Sequence, residues 1–600
     1  MPGRESRTSS SAAARSIPGG PMRGQRAAFV VLWISLGLLA VMIPGARATW
    51  SVDGVALSPD ASNYEPFIIS DGASGTIIAW HGGAGSDIFA RRILSDGASA
   101  PGWPVTTPLL VCGATGLQEQ PVLVTDLAQG ALIFWQDARN GSNYDIYGQH
   151  INSSGGVWST PSSSWIAGGN PISTAAGNQY LPVALSDGSG GAIIVWQDGR
   201  QGAGNYDIYA QRVDGDGNLL WAPAGVPVCV ATNHQINPSV AADGSGGVYV
   251  AWQDYRQGNE YDIYLQHLTA SGAIFSGWTS NGVGVCVARN SQFYPSLVND
   301  GAEGVFVAWQ DFRTGTDNHI YAQHLTAQGG VVTNWPVDGS PVCQAQYSQY
   351  FPVVAGDGSA GVFVAWQDYR TGTTNHIYAQ HLTAGNTAWT ADGVPVSQAA
   401  NGQFAPQIAH DGRGGAFITW YDSRNGSTND VYIHQVSAAG VLNPLWDRNG
   451  LGVCLAPNTQ QYPVLATSEA GSAIMTWQDL RSGSLSTAAI YAQQAVSPTQ
   501  VGVNDPPPSR MQLGAARPNP FRGASEVQLS LAEPAFVRAE ILDITGRRIA
   551  TLASGSLPAG IHELTWDGTG ARGDPAAPGV YLIRVQTPGL QRTLRLVRLR

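Results

Sequence analysis

One tryptophan recurs along most of the chain at a nearly constant spacing. The eight members of this first series are Trp80, Trp135, Trp196, Trp252, Trp309, Trp366, Trp420 and Trp477. Their separations are 55, 61, 56, 57, 57, 54 and 57 residues. A fixed period of this size indicates a repeat architecture, in which each unit packs mainly against its neighbours. We therefore expect eight similar units rather than one large core.

Each repeat contains four segments of strand length. In the third repeat these are residues 182–186, 192–198, 207–213 and 221–229. Turn-forming residues separate them, such as the run Asp-Gly-Ser-Gly-Gly at 187–191. Four short strands in one period are typical of one blade of a β-propeller. Only 12% of the residues are charged and 74 are glycine, which also favours an all-β chain.

A second tryptophan series fixes the phase of the repeat. It comprises Trp50, Trp103, Trp165, Trp221, Trp278, Trp335, Trp389 and Trp446, each opening a fourth strand. The fourth-strand segment 50–58 precedes the first repeat, whereas the eighth repeat stops after 489–496 without one. An open solenoid would leave two exposed sheet edges, but a ring lets 50–58 complete the last blade. The phase thus predicts an eight-bladed β-propeller over residues 49–496.

The N-terminal 48 residues predict an export signal. Arg15, Arg23 and Arg26 precede an apolar run at 27–42, and Ala46-Arg47-Ala48 fits a cleavage site. The run is short for a membrane-spanning helix, so we expect no transmembrane segment after cleavage. Cleavage removes six arginines and one glutamate and takes the formal charge from −11 to −16. Such an acidic chain excludes nucleic acid as a partner and predicts a secreted or outer-surface location.

The five cysteines do not predict disulfide bonds. Cys112, Cys229, Cys286, Cys343 and Cys454 share one place in the fourth strand, where other repeats have serine. Equivalent positions in different blades are related by rotation about the ring and lie beyond disulfide reach. We therefore expect small buried side chains at these positions.

An Asp-x-Arg pair follows the first-series tryptophan in every repeat except the first. As candidate ligand-binding residues we single out the pairs Asp198 and Arg200, Asp254 and Arg256, Asp311 and Arg313, and Asp368 and Arg370. A Gln or Asn also lies three residues before each first-strand proline, and both sets should lie on one rim of the ring. One interpretation is a multivalent carbohydrate-binding rim, in which these groups orient sugar hydroxyls. The other, which the eight-fold repetition favours, is pairing within and between blades.

Metal sites have little support in the sequence. Asp214, Asp216 and Asn218 alternate as in a calcium loop, so calcium is the one cofactor considered, but a hairpin turn is expected there. A histidine recurs in the third strands of four repeats, and one residue per blade cannot form a close metal cluster. Catalytic motifs such as a nucleophile elbow, His-Glu-x-x-His or a phosphate-binding loop are absent from the sequence.

The C-terminal part has a different character. A Pro-rich linker is predicted at 497–512, followed by strand-like runs at 526–531, 536–543, 561–566, 579–586 and 593–599. The segments 516–521, 539–552 and 557–585, with Trp566-Asp567-Gly568 and Gly579-Val580-Tyr581, resemble the Ig-like domain of flagellar hook-capping proteins. They also resemble the C-terminal sorting domains of type IX secretion cargo. The resemblance implies a small Ig-like sandwich over 513–600 that serves in sorting or attachment and contacts the export machinery.

The repeats resemble the Trp-Gln-Asp-x-Arg repeats of bacterial surface proteins, which implies a fold and a setting but no activity. Three functions remain open from the sequence. The first is a non-enzymatic binding or adhesion scaffold, with an extracellular glycan or a surface protein as partner. The second is a multivalent lectin-like propeller, and the third is a glycoside hydrolase or lyase with one central site. The enzyme would need non-repeating acids, for which Glu65, Glu119, Glu260 and Glu303 are the candidates.

Overall fold

The structure is a computed structural model that describes residues 50–59, 62–157, 164–202, 204–497 and 512–599. The last range has gaps at 514–515, 517–518, 520, 532–534, 545, 558–559, 571–573 and 588–589. The predicted signal peptide (1–48) and nearly all of the predicted linker lie outside the described residues.

The described part of residues 50–497 forms eight four-stranded antiparallel sheets. The first strands are β2 (Tyr64–Ser70), β6 (Gln118–Thr125), β10 (Gln179–Ser186), β14 (Gln235–Ala242), β18 (Gln292–Asn299), β22 (Gln349–Gly356), β26 (Gln403–His410) and β30 (Gln460–Glu469). The second strands are β3 (Thr76–Gly82), β7 (Ala131–Asp137), β11 (Ala192–Asp198), β15 (Val248–Asp254), β19 (Val305–Asp311), β23 (Val362–Asp368), β27 (Ala416–Asp422) and β31 (Ser472–Asp479).

The third strands are β4 (Asp87–Ile93), β8 (Asp145–Ile151), β12 (Asp207–Val213), β16 (Asp262–Leu268), β20 (His319–Leu325), β24 (His376–Leu382), β28 (Asp430–Val436) and β32 (Ala489–Val496). The fourth strands are β5 (Leu109–Cys112), β9 (Asn170–Ser173), β13 (Val226–Cys229), β17 (Val283–Cys286), β21 (Ser340–Cys343), β25 (Val394–Ser397), β29 (Leu451–Cys454) and β1 (Val55–Ala56). One 3-10 helix, Leu485–Thr487, precedes β32.

The eight sheets close into a ring. Each first strand contacts the first strand of the next sheet, and β2 contacts β30. The last sheet has the order β1-β32-β31-β30, with Val55 opposite Ala492 and Ala56 opposite Tyr491. This is the pairing that the phase of the second tryptophan series predicts, although β1 is only two residues long. The arrangement is that of a β-propeller, and each sheet is one blade.

The first tryptophan series fills the space between adjacent strands and blades. All eight indoles are fully buried, and the second strands that carry them are buried along almost their whole length. A glycine lies against the indole of this tryptophan just before the fourth strand. At Gly225 (φ +86°) a Cβ atom would lie 2.6 Å from Cη2 of Trp196. The positive φ and this close approach explain the glycine at that position.

The second series joins neighbouring blades near the outer edge. Trp221 Nε1 donates to the carbonyl of Ala270 in the next blade at 3.0 Å, and Trp278 Nε1 donates to Ala327 at 2.8 Å. The same bond recurs from Trp50, Trp103, Trp165, Trp335 and Trp389. These indoles, five of them buried and Trp50 and Trp389 half-buried, therefore hold successive blades together.

The C-terminal domain consists of two sheets packed around their own core. One has the order β33-β34-β37, from β33 (Gln512–Leu513), β34 (Ser525–Leu531) and β37 (Gly560–Trp566). The other has the order β36-β35-β38-β39, from β35 (Ala535–Asp543), β36 (Arg548–Leu557), β38 (Gly579–Thr587) and β39 (Leu590–Arg598). Trp566 packs in the core against Phe521 and Tyr581. Five strands agree with the sequence prediction, which missed β33 and β36.

No helix in the described residues is long and apolar enough to span a membrane.

Candidate functional site

The repeated Asp-x-Arg pair forms part of a buried cluster at the end of the second strand. Asp254 Oδ2 accepts hydrogen bonds from Trp252 Nε1 and Arg256 Nη2, both at 2.6 Å. Its Oδ1 accepts from the backbone N–H and from Nε of Arg256, both at 2.8 Å. The carboxylate is fully buried. All four of its short bonds are therefore made within its own blade.

The arginine is held by a ring stacked on its guanidinium and by a hydrogen bond in the guanidinium plane. Its guanidinium lies 3.6 Å over the ring of Tyr264 in the third strand, and Nη2 also donates to the carbonyl of Asn281 at 2.8 Å. Seven blades contain this cluster, with the pairs Asp137–Arg139, Asp198–Arg200, Asp254–Arg256, Asp311–Arg313, Asp368–Arg370, Asp422–Arg424 and Asp479–Arg481. We call this set of Trp, Asp, Arg and Tyr the buried cluster.

The predicted site residues thus lie at the expected edge of the sheets, but their carboxylates do not offer free groups to a ligand. The carboxylates of Asp198, Asp254, Asp311 and Asp368 are fully buried, and each is paired with Arg200, Arg256, Arg313 or Arg370. A ligand could reach them only by breaking a buried ion pair, which is costly. The geometry therefore favours the structural interpretation of these eight residues.

The first blade shows why the cluster is absent there. Gly82 stands where other blades have the aspartate, and Trp80 Nε1 donates instead to Asn63 Oδ1 at 2.9 Å. A Cβ atom at position 82 would collide with that amide oxygen. Asn63 therefore replaces the missing carboxylate as the acceptor of the buried indole.

The glutamine between the tryptophan and the aspartate connects each blade to the next. Gln253 Oε1 accepts the backbone N–H of Tyr294 in the first strand of the following blade at 2.8 Å. Equivalent bonds reach Leu181, Asn237, Phe351 and Ala405. Every acceptor in this series belongs to a repeated residue, whereas the residue that donates differs from blade to blade.

These donors lie in a β-bulge that interrupts each first strand. The register of the first strand against the second shifts at this point in all eight blades. The residue before the first-strand proline has a φ between 48° and 55° in every blade, although none is glycine. We call these eight residues the bulge positions: Glu65, Gln120, Leu181, Asn237, Tyr294, Phe351, Ala405 and Tyr462.

A left-handed backbone is unfavourable for such side chains, and it persists where neighbouring structure enforces it and often where function uses it. A bulge re-aims the side chain it carries. Tyr294, Phe351 and Tyr462 are 37%, 41% and 42% exposed. The bulge positions could not be found from the residues that the repeats share, because they are positions at which the repeats differ.

Aromatic rings connect the bulge positions with the surrounding loops on this edge of the ring. Consecutive ring centroids lie 4.8 to 6.5 Å apart along a path through Tyr144, Tyr180, Tyr206, His234, Tyr255, Tyr261, Phe293, Tyr294, Phe351 and Tyr350. We call this path the aromatic arc. It runs from the second blade to the sixth, and its rings are half-buried or exposed.

The arc also breaks the symmetry of the ring. The residue before the third strand is Tyr144, Tyr206 or Tyr261 in the second to fourth blades, but Asn318, Asn375 or Asn429 in the fifth to seventh. A ligand at this edge therefore meets different groups along different parts of the ring. Such unlike residues are what a single specific site requires.

The non-repeating acids do not form a pair in the described structure. Glu65 is a bulge residue 3.6 Å from His81 Nε2, and Glu119 Oε2 accepts a hydrogen bond from the Tyr144 hydroxyl at 3.0 Å. Glu260 lies in the loop before β16, near Asp262. Glu303 belongs to the turn between β18 and β19, at the opposite edge of the ring. None of these contacts joins two of the four glutamates.

The opposite edge carries a second set of repeated pairs. The recurring third-strand histidines each contact a turn aspartate of their own blade, as in His267 Nε2 to Asp243 Oδ2 at 3.0 Å. That aspartate also accepts two backbone N–H groups of its turn, from Ser245 and Gly247. Among the described residues there is no group of three metal-ligating side chains. The third-strand histidines therefore serve as partners of the turn aspartates.

The loop at Asp214–Asn218, considered for calcium, forms the hairpin turn that the repeat predicts. Asp214 Oδ1 accepts the backbone N–H groups of Asp216 and Asn218, and Oδ2 accepts the Asn218 amide.

The five cysteines are buried and unpaired, and burial raises the pKa of the Cys229 thiol to about 12.

Comparisons with known proteins place the C-terminal domain only. The model of the FlgD Ig-like domain family matches residues 517–589, in agreement with the hook-capping resemblance. Likeness to a type IX sorting domain stays a prediction. No curated protein matches the chain.

Solved structures resemble the chain at low identity. A protein of unknown function from Dyadobacter fermentans is 14% identical over 56% of this chain and 99% of its own, with a TM-score of 0.32. A polysaccharide lyase described as a PL25 ulvan lyase is 10% identical over 75% and 96%, with a TM-score of 0.37. PorZ, a surface component of the type IX secretion system of Porphyromonas gingivalis, is 12% identical over 90% and 75%, with a TM-score of 0.23. TM-scores this low identify no function.

Proposed function

We propose that the protein is a non-enzymatic, carbohydrate-binding scaffold that is exported and displayed outside the cell. The observation that carries the proposal is the variation of the bulge positions on an otherwise repeated ring. Residues that repeat in every blade serve blade packing. The bulge positions instead differ from blade to blade, several are exposed, and their backbone is held in one conformation, which suits ligand binding.

The aromatic arc is the surface that we assign to the ligand. Phenyl and phenol faces bind the apolar faces of sugar rings, and tyrosine adds a hydroxyl that bonds to sugar hydroxyls. Tyr294 and Phe351 are exposed and lie 5.1 Å apart from centroid to centroid in adjacent blades. Asn237 supplies a polar group from the neighbouring bulge position. The formal charge of −16 expected after signal cleavage favours a neutral ligand over a polyanion.

The C-terminal domain fits a role in attachment. It matches an Ig-like family and is separate in sequence from the propeller, to which we assign the ligand. We assign delivery or anchoring to this C-terminal domain. Export rests on the predicted signal peptide at 1–48.

The test is native affinity electrophoresis of the protein through gels that contain xylan, β-glucan, mannan or galactan. We expect at least one of these polysaccharides to retard the protein, and the double variant Y294A/F351A to migrate freely. Alanine already occupies the bulge position at Ala405, so this variant should fold. The matched control is F536A, which removes an exposed phenylalanine from the C-terminal domain.

Failure of all four polysaccharides to retard the protein would contradict carbohydrate binding. Release of new reducing ends during incubation would contradict the non-enzymatic part of the proposal.

A further inference from the structure

At each joint between two blades, a residue that is glutamine in seven of the eight blades contacts the preceding blade. The backbone N–H of Gln235 donates to the carbonyl of Tyr206, the residue just before β12, at 2.7 Å. Its side-chain Nε2 donates to the carbonyl of Thr232 in its own loop at 3.2 Å. The amide orientation is thereby fixed, and Oε1 is not used in its own loop; at the equivalent glutamines Gln349 and Gln403 this oxygen faces the first residue of the preceding third strand. Gln292 is held in the same way, by the carbonyls of Tyr261 and Asn290.

Two blades show what this joint requires. His319 Nδ1 lies 3.0 Å from Gln349 Oε1, and His376 Nδ1 lies 2.9 Å from Gln403 Oε1. In both, the first residue of the third strand provides a hydrogen-bond donor to the amide oxygen. The joint therefore accepts a residue that donates at this position.

In five other blades the same position holds an aspartate. The facing glutamines Gln118, Gln179, Gln235, Gln292 and Gln460 each have a buried Oε1 for which the described residues supply no donor. Both carboxyl oxygens of Asp207, and Oδ2 of Asp262, are likewise buried without a donor. An ionised carboxylate only accepts hydrogen bonds, so it cannot satisfy the amide oxygen opposite. Buried acceptors without donors are costly.

The charge balance of these blades points the same way. Asp207 lies opposite Asp198 in the strand register, and Asp262 lies opposite Asp254. In each blade the arginine beside this pair is already bound to the first of the two carboxylates. The second carboxylate is left buried beside a like charge.

The groups that face each acid account for the direction of its pKa. Asp207 faces Asp198, Arg200 and the Cys229 thiol, and burial together with Asp198 raises its pKa to about 6. Around Asp262 lie Glu260, Asp254, Arg256 and Asp338. Burial together with Glu260 and Asp254 raises the pKa of Asp262 to about 7.

We propose that Asp207 and Asp262 are neutral carboxylic acids in the folded ring at mildly acidic pH, and that each then donates a hydrogen bond to the glutamine Oε1 of the next blade. The carboxyl proton replaces the N–H that His319 and His376 donate in their joints. These blade joints are thus proton-binding sites, independent of the ligand face.

The proposal fixes the sign of a pH effect. Both folded pKa values lie above the ordinary value of 3.8. The folded state therefore holds protons that the unfolded state has lost between about pH 4 and pH 7, and its stability falls as the pH rises through that window. Each acid contributes up to about a tenfold change in the folding equilibrium constant per pH unit. His434, whose burial lowers its pKa to about 4, acts in the opposite direction, so variants must be compared with the wild type at each pH.

The test is thermal unfolding of the protein from pH 5 to pH 8 in the wild type and in D207N/D262N. Asparagine presents an N–H donor that does not titrate, so we expect the double variant to lose a clear part of the downward slope and to melt above the wild type at pH 8. The remaining slope includes that of Asp430, whose pKa burial and Asp422 raise to about 6. D207H/D262H, which copies the joints at His319 and His376, presents a neutral N–H donor at pH 8, so it should also melt above the wild type there and serves if the first variant fails to fold. D214N, at an exposed turn, is the matched control and should keep the wild-type slope.

Infrared spectroscopy reads the proton directly. At pH 5.5 the folded wild type should show a protonated-carboxyl stretch that is weaker in D207N/D262N, where Asp430 still contributes to it. A band of equal intensity in both proteins, or equal slopes in wild type and variant, would overturn the proposal in favour of a bridging water. A rise in melting temperature on adding calcium that is seen only in the wild type would overturn it in favour of a bound cation.

Discussion

Two layers at the same edge of the ring behave in opposite ways. The buried cluster of Trp, Asp, Arg and Tyr is nearly identical in seven blades, with every arginine 3.6 or 3.7 Å over its tyrosine. The bulge positions next to it have one backbone conformation but seven different residue types. The first layer repeats because every blade has a buried indole N–H that needs an acceptor. The second layer varies, as expected if a ligand contacts only particular blades.

The largest expected effect comes from removing one carboxylate of the buried cluster. Asp254→Ala leaves the Trp252 indole N–H and the Arg256 guanidinium without their buried partner, so we expect a loss of about 3–5 kcal/mol of stability. Thermal and urea unfolding measure it, with Asp214→Ala at an exposed turn as the control. Weakened polysaccharide binding with unchanged stability would contradict the division between the two layers.

A smaller loss should follow when the arginine becomes lysine. Arg256→Lys keeps the charge but loses the planar fork that bonds both oxygens of Asp254 and stacks on Tyr264. We expect about 2 kcal/mol less stability, measured by urea unfolding. The retardation by polysaccharide of the folded protein should stay as in the wild type, and a change in retardation alone would count against the structural role.

The smallest effect is expected where the repeats already exchange residues. Cys286 occupies the position held by Ser173 and Ser397, whose hydroxyls are buried and lack a partner among the described residues. Cys286→Ser should therefore cost about 1 kcal/mol, because it buries a hydroxyl without a bond. Urea unfolding measures the change. A loss as large as that of Asp254→Ala would show that the thiol contact with Arg313 matters more than the repeat suggests.

Much of the fold could be predicted from the sequence, because the repeat makes each blade a local problem. The spacing of Trp80 to Trp477 gave the number of sheets, and the position of Trp50 before the first repeat gave the closing strand. In the C-terminal domain, β36 (Arg548–Leu557) was missed because its small residues give little apolar alternation.

The candidate site was harder to predict. A residue before proline is expected in the extended region, so nothing local indicates a left-handed Tyr294 or Phe351. The bond from Gln253 in the preceding blade accompanies this conformation, and it appears only once the ring is assembled. The Asp-x-Arg pairs drew attention because they repeat. Their repetition follows instead from the buried tryptophan that each aspartate must satisfy.

The central claim is that the bulge positions, and not the buried cluster, hold the ligand. Isothermal titration with the polysaccharide that retards the wild type tests it most directly, in Y294A/F351A and in Arg256→Lys, each corrected for its folded fraction. We expect the association constant of Y294A/F351A to fall by about tenfold or more, equivalent to ~1.4 kcal/mol, and that of Arg256→Lys to stay within about twofold of the wild type. The reverse pattern, with binding lost in Arg256→Lys and kept in Y294A/F351A, would contradict the account.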